Sequence, residues 1–345
     1  MRTVVVVGAG LAGVRCAETL RAAGYDGRVV LLGDEAYAPY ERPALSKEYL
    51  AGERDELALR PPGHWNELDI ELVLGARVDG IRGRMARAGA RSWAFDRVVL
   101  ATGARPRALN GIRPPWVQHL RTLDDARALR DRLRPGRRLV VVGSGFVGAE
   151  VATTAARLGV EVTVVEAGVS PLGGLLGREV GSVLEAAYRR RGIDLRLGVG
   201  VERVDRRATV LADGTRIVHD VVLVAVGVDP ARDLGARSAI EAGDVTGVGH
   251  WTAAAEQGVA AAHRLLGLVP PCERPRFVWS DQLGYRLQVV GSTRDAFGVS
   301  IEGDDASFVA RYLDARDRVL GAVAANRPEA TAALRQELAT VPSAA

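Results

Sequence analysis

The run Thr3-Val4-Val5-Val6-Val7 is followed at once by Gly8-Ala9-Gly10-Leu11-Ala12-Gly13. Val14 to Ala23 then carries Val14, Ala17 and Leu20 at helical spacing. A strand, a Gly-x-Gly-x-x-Gly turn and a helix form the opening of a dinucleotide-binding unit. Gly10 lets the backbone approach a pyrophosphate, and Gly13 lets helix and strand pack closely. The phosphates then meet free N–H groups at the positive end of the helix. A second strand, 28–32, ends at Gly33-Asp34-Glu35, and Asp34 lies 21 residues after Gly13. That is close to the position of an acid that holds a ribose hydroxyl. Gly8, Gly10, Leu11, Ala12, Gly13 and Asp34 are therefore candidates to bind a first dinucleotide.

The pattern returns. Leu139 to Val142 leads into Gly143-Ser144-Gly145-Phe146-Val147-Gly148, then a helix over 149–158. A strand over 162–165 ends at Glu166, 18 residues after Gly148. Two such units in one chain are far more specific than one. Gly143, Gly145, Phe146, Val147, Gly148 and Glu166 are candidates for a second dinucleotide. A carboxylate at Glu166 accepts from a ribose 2′-hydroxyl and repels a 2′-phosphate, which favours NADH over NADPH.

At 345 residues the chain exceeds one ordinary core and suggests two or three domains. No apolar run reaches the length of a membrane span. Arg2 and the following valines superficially resemble a signal peptide, but the stretch is explained as strand and turn, so a cytoplasmic protein is expected. The net charge of +4 is modest, and neither nucleic acid nor membrane is expected as a partner. The two cysteines, Cys16 and Cys272, are far apart and outside any metal-spaced cluster, so no metal site and no disulfide framework is expected. Cys16 falls on the packed face of the first helix and reads as a core thiol. Lys47 is the only lysine among 46 basic residues, and it joins the candidates because an ammonium is a compact point charge that Arg does not imitate.

Further motifs carry a family likeness. Pro39-Tyr40-Glu41-Arg42-Pro43-Ala44-Leu45-Ser46-Lys47 resembles a motif of the FAD-dependent ferredoxin and rubredoxin reductases, including the reductase components of bacterial oxygenase systems. These belong to the glutathione-reductase-like flavoproteins with two dinucleotide sites. The Ala101-Thr102-Gly103 strand exit, Ala242-Gly243-Asp244, His250-Trp251 and Phe277-Val278-Trp279-Ser280-Asp281-Gln282 resemble motifs of the same family. The sequence departs from the pattern at Gly249, where the family has Glu, at Phe277, where it has Trp, and in shorter 230-to-239 and 244-to-250 connections.

The resemblance implies an α/β fold with two Rossmann-like domains, for FAD and for NAD, and a C-terminal α/β interface domain. The expected boundaries are 1–107 and 230–272 for FAD, 108–229 for NAD and 273–345 for the C-terminal domain. It implies that Arg42 and Lys47 lie by the flavin with Pro43 near its ring, that Val78 lies against the adenine, and that Asp244 binds the ribitol. Ala101, Thr102, Gly103, Arg121, Gly243, Trp251 and, at the second strand exit, Gly227 complete the cofactor candidates. Glu150 is implied beside the nicotinamide carboxamide, so Lys47 and Glu150 are the expected catalytic pair.

The implied activity is electron transfer from NADH through FAD to a 2Fe–2S ferredoxin, serving an oxygenase or a cytochrome P450, by a monomer or weak dimer. Disulfide reduction requires a redox cysteine pair that the chain lacks, and Cys16 is too near the first turn to serve as the reactive thiol of a peroxidase or NADH oxidase. A redox-sensing flavoprotein like apoptosis-inducing factor, or an NADH:quinone oxidoreductase, stays open as an alternative. Trp279 is either interdomain packing or part of a ferredoxin-docking surface at the junction of the FAD and C-terminal domains. Residues 53–67, with His64 and Trp65, read as polar surface.

Overall fold

A computed structural model describes residues 2–109, 114–235, 238–272, 274–294 and 296–339. The stretches 106–116 and 270–275, which read in sequence as proline-bearing linkers, and the 230-to-239 connection fall partly outside the described residues, at 110–113, 273 and 236–237. The chain divides into two compact units. One comprises Met1–Glu41, Glu56–Arg105 and Val228–Glu273; the other comprises Arg42–Asp55, Pro106–Gly227 and Arg274–Ala345.

Among its described residues, the first unit holds a five-stranded sheet in the order Ile240–Glu241, Arg97–Leu100, Thr3–Val7, Arg28–Leu32, Ile70–Val73. Its pairings are parallel. Val4 and Val6 pack under the helices Leu11–Ala22 and Trp251–Leu266. Val5 and Val7 pack with Phe95 and with Ala86 and Trp93 of a small antiparallel sheet, Gly80–Arg82, Met85–Ala88 and Arg91–Ala94. Burial on both faces explains why Thr3–Val7 reads as a continuous apolar run rather than an alternation. A Cβ on Gly258 would meet the Ala12 carbonyl oxygen at 2.3 Å, so the two helices touch backbone to backbone.

His64 is not the surface residue expected. Its side chain is one-fifth exposed and its Nε2 lies 3.0 Å from Glu18 Oε1, which Arg60 also contacts. Burial pushes the Glu18 carboxyl up, but hydrogen bonding and charge from Arg60, with His64 and Arg15, hold it below its ordinary value.

In the second unit, a four-stranded parallel sheet runs Asp194–Leu197, Glu161–Glu166, Arg138–Val142, Val221–Val224 among the described residues. The stretch 195–217, which reads in sequence as a ribbon, is therefore two things in the structure. Its first residues are the edge strand of this sheet, and only Val201–Val204, Ala208–Leu211 and Arg216–Val218 form an antiparallel ribbon. Residues 181–191 read in sequence as a helix; in the structure that helix begins earlier and runs Gly173–Arg190, with non-helical backbone at Gly177. A C-terminal antiparallel sheet has the order Phe277–Gln282, Tyr285–Gly291, Val319–Ala325, Phe308–Leu313, Gly298–Gly303, backed by the helix Pro328–Ala339. Leu139, Val151, Leu184 and Tyr188 share one core with Tyr285, Leu287, Phe308 and Tyr312 of that sheet. Tyr312 Oη donates to the Leu176 carbonyl at 2.6 Å, which seats the ring that burial places there.

Cys16 is fully buried, and burial pushes its thiol up to about 12, whereas Cys272 is exposed. A thiol that stays protonated and out of reach is inert. Titration of the native protein with a thiol-specific disulfide reagent is therefore expected to release one equivalent, and two in guanidinium; two in the native protein would contradict this core.

Candidate active site

Both Gly-rich turns are built by backbone-to-backbone contact. A Cβ on Gly13 would meet the Gly8 carbonyl oxygen at 1.9 Å, and one on Gly148 would meet that of Gly143 at 2.1 Å. Each first glycine is pressed by the matching strand exit: a Cβ on Gly8 would meet the Ala101 oxygen at 2.0 Å, and one on Gly143 the Ala225 oxygen at 2.6 Å. These clashes are with main chain, so no side-chain motion relieves them. By contrast, space is open around the Cα of Gly10 and of Gly145, with nothing within 4 Å of an added Cβ. These two glycines are the N-caps of the helices Leu11–Ala22 and Phe146–Arg157, and neither helix has a side-chain cap or an acid in its first turn. Uncapped N–H groups beside open space are what a pyrophosphate requires, so the residues present fit a dinucleotide in each unit.

In the first unit the candidates gather at the same end of the sheet. Thr102 Oγ1 donates to the Ala231 carbonyl at 2.8 Å, and the Ala231 N–H donates to Gly103 O at 3.0 Å. Gly243 has φ +82°, and a Cβ there would lie 2.8 Å from that of Ala12, so the Gly243-Asp244 turn abuts the first helix. Trp251 opens the helix that follows. Asp34 is exposed, whereas Glu35 beside it is half-buried and accepts from the Tyr40 hydroxyl at 2.6 Å. Val78 is half-buried against the core that contains Val5 and Val7.

In the second unit Glu166 ends its strand and turns back on the glycine loop. Its Oε2 accepts from the Ser144 N–H and hydroxyl, each at 2.8 Å, and its Oε1 from the Gly168 N–H at 2.8 Å. Phe146 is half-buried, Val147 is exposed, and Gly227 has φ +103°. Arg42 and Arg121, far apart in sequence, come together: Arg42 Nη1 donates to the Arg121 carbonyl at 2.8 Å, just before the helix Leu123–Arg132.

The expected pair also forms. Lys47 Nζ lies 2.8 Å from Glu150 Oε2 and donates to Pro43 O at 3.0 Å. Glu150 is 4 % exposed, on the buried face of Phe146–Arg157. Sequence reasoning missed the rest of its surroundings. Ser46 Oγ donates to Glu150 Oε2 at 2.5 Å and Ser280 Oγ to Oε1 at 2.5 Å. Thr154, one turn on from Glu150, donates to the Ser46 carbonyl at 3.0 Å. Thr153 accepts from the Leu283 N–H at 2.9 Å. A signal for Ser280 was available: as part of a strand, Phe277–Gln282 alternates faces, and Ser280 and Gln282 are buried while Asp281 is exposed. Trp279 is half-buried and stacks on Phe277 with centroids 6.1 Å apart.

The family model described as "Pyridine nucleotide-disulphide oxidoreductase" matches residues 2–250, and that described as "Reductase C-terminal" matches residues 277–344. The chain is 35% identical over 347 residues to the biphenyl dioxygenase system ferredoxin–NAD(+) reductase component of Paraburkholderia xenovorans, covering 88% of this chain and 85% of that one. It is 33% identical to the p-cumate 2,3-dioxygenase system ferredoxin–NAD(+) reductase component of Pseudomonas putida, covering 96% and 92%. Among solved structures, the covalent putidaredoxin reductase–putidaredoxin complex superposes with a TM-score of 0.92 at 31% identity, covering 98% of this chain and 93% of that one.

A buried ion pair is most damaging when half of it is removed. Lys47→Met is expected to destabilise the second unit by about 3–5 kcal/mol. Lys47→Met combined with Glu150→Leu is expected to lose less than the single change, as read by urea unfolding. A double variant at the sum of the two singles would refute the pairing.

Proposed function

Because the chain belongs to the pyridine nucleotide-disulphide oxidoreductase family, we infer that it is a flavoprotein reductase that passes electrons from NADH through FAD to a 2Fe–2S ferredoxin of an oxygenase or cytochrome P450 system. The observation that carries this reading is the pairing of two uncapped Gly-rich helix starts with a buried Lys47–Glu150 pair in a chain without a cysteine pair. FAD, when bound, supplies a group that takes two electrons together and releases them singly.

The chain's own residues bind and orient. Gly8, Gly10 and Gly13 receive the FAD pyrophosphate, with Ala101, Thr102, Gly103, Gly243, Asp244 and Trp251 as the other contacts from the first unit. Gly143, Gly145 and Gly148 receive the pyrophosphate of NADH, with Phe146 and Val147 at the helix start. Glu150 accepts from the nicotinamide carboxamide, and Lys47 pairs with Glu150 at 2.8 Å where both side chains are largely buried. Orientation is the larger part of the catalysis, since a well-oriented reactant replaces a bimolecular encounter with an intramolecular one. With one buried and one exposed lone thiol, no dithiol relay carries electrons onward.

Nucleotide choice follows from Glu166. Its carboxylate is already fixed by Ser144 and Gly168 at the edge of the glycine loop. A fixed anion there accepts from a 2′-hydroxyl and repels a 2′-phosphate. NADH is expected to exceed NADPH in kcat/KM by at least about tenfold, a difference of about 1.4 kcal/mol. Glu166→Ala is expected to narrow the ratio, and equal values for the two nucleotides in the unaltered protein would refute the assignment.

The partner is tested separately. Reduction of a 2Fe–2S ferredoxin is expected to slow as ionic strength rises past about 0.15 M, where the Debye length is about 8 Å. Ferricyanide reduction, which needs no protein docking, is expected to respond much less. Equal salt responses, or a ferredoxin reduced no faster than a free quinone, would favour the quinone reductase or the sensor instead.

A further inference from the structure

Glu150 is held from two sides. Lys47 and Ser46 both sit on Oε2, and Ser280 donates to Oε1 at 2.5 Å. Two donors on one oxygen make a pivot; the position of the other oxygen depends on Ser280. A hydroxyl has one proton to give, and Gln282 decides where it goes. Gln282 Nε2 donates to Ser280 Oγ at 2.9 Å. An amide N–H does not accept, so the Ser280 proton is left for Glu150.

The other end of the Gln282 amide sharpens the point. Gln282 is 2% exposed, and its Oε1 has no hydrogen-bond partner among the described residues. An orphaned buried acceptor is unfavourable. Turning the amide over would give Oε1 the Ser280 proton, but it would take that proton from Glu150 and leave the Nε2 hydrogens without the Ser280 oxygen as acceptor. The observed orientation leaves one acceptor unmet and keeps Ser280 as a donor to the carboxylate. A strand with Ser and Gln two residues apart on its buried face is thus wired in one direction to Glu150.

We propose that Ser280, with its hydroxyl directed by Gln282, is a positioning residue for the nicotinamide: it acts through Glu150 by fixing the orientation of the carboxylate that receives the NADH carboxamide. This rests on Glu150 being the group that meets the nicotinamide.

The test is NAD+ affinity, measured by isothermal titration calorimetry on the full FAD-loaded chain, for Ser280→Ala, Glu150→Gln and the double variant. Ser280→Ala is expected to weaken NAD+ binding about 5- to 10-fold, the upper part of the range for one ordinary hydrogen bond. In the Glu150→Gln background the same change is expected to matter less than about twofold, because residues acting through one another are not additive. A general structural role would give Ser280→Ala the same factor in both backgrounds, and that result overturns the proposal. If Glu150→Gln weakens binding and Ser280→Ala does not, the proposal fails while the role of Glu150 stands. If Glu150→Gln leaves affinity unchanged, the role of Glu150 fails and the proposal with it. Should Ser280→Ala not fold, Gln282→Met releases the Ser280 proton without removing the hydroxyl. It is expected to weaken NAD+ about threefold, and unchanged affinity overturns the proposal.

Discussion

A buried carboxylate has to be met by donors or it does not stay charged. Glu150 is met by donors from two other parts of the chain: the turn at Ser46–Lys47 and the strand Phe277–Gln282. Much of the second unit follows from that requirement. The short segment Arg42–Asp55 belongs to this unit although the chain on either side of it belongs to the other. Its Ser46 and Lys47 side chains and the Ser46 carbonyl are all engaged by the helix that carries Glu150. The strand that brings Ser280 is anchored by the same helix through Thr153. One charge thus organises three segments that are remote in sequence.

The two nucleotide cradles show how little chemistry such a site needs. Their walls are carbonyl oxygens packed where side chains are missing, at Gly8 and Gly13 and again at Gly143 and Gly148. Their floors are helix starts without a side-chain cap. What distinguishes the two lies at the ends of the second strands. Asp34 is left to solvent. Glu166 is engaged by its own loop, accepting from Ser144 on one oxygen and from the Gly168 N–H on the other.

The sequence was most legible where local pattern and tertiary demand agree. Thr3–Val7 with its turn and Arg138–Val142 with its own needed no context, because apolar runs ending in spaced glycines admit few other folds. It was less legible where neighbours decide. Asp194–Leu197 looks like ribbon, since an edge strand buries one residue in two and resembles the hairpins after it. The start of the helix at Gly173 was hidden by glycines that local propensity reads as loop. At the site, Lys47 was conspicuous through its rarity and Glu150 through its motif. Ser46 and Ser280 were not, because a serine announces nothing until the acid it serves is in place. His64 was taken for surface for the same reason: its partner, Glu18, is 46 residues away.

The rarity of Lys47 has a chemical side. Apart from Lys47, the basic residues counted in the sequence are all arginines, and surface ion pairs such as Arg28–Glu71, Arg130–Asp55 and Arg318–Asp314 join guanidinium to carboxylate. Acylating agents that neutralise cationic surfaces attack primary amines and leave guanidinium groups alone. The one side-chain amine here is 12% exposed and clasped by Glu150. Among the side chains, the charge of the folded protein's surface is therefore beyond the reach of acylation, and the single side chain where such chemistry would change a charge is the one on which Glu150 depends.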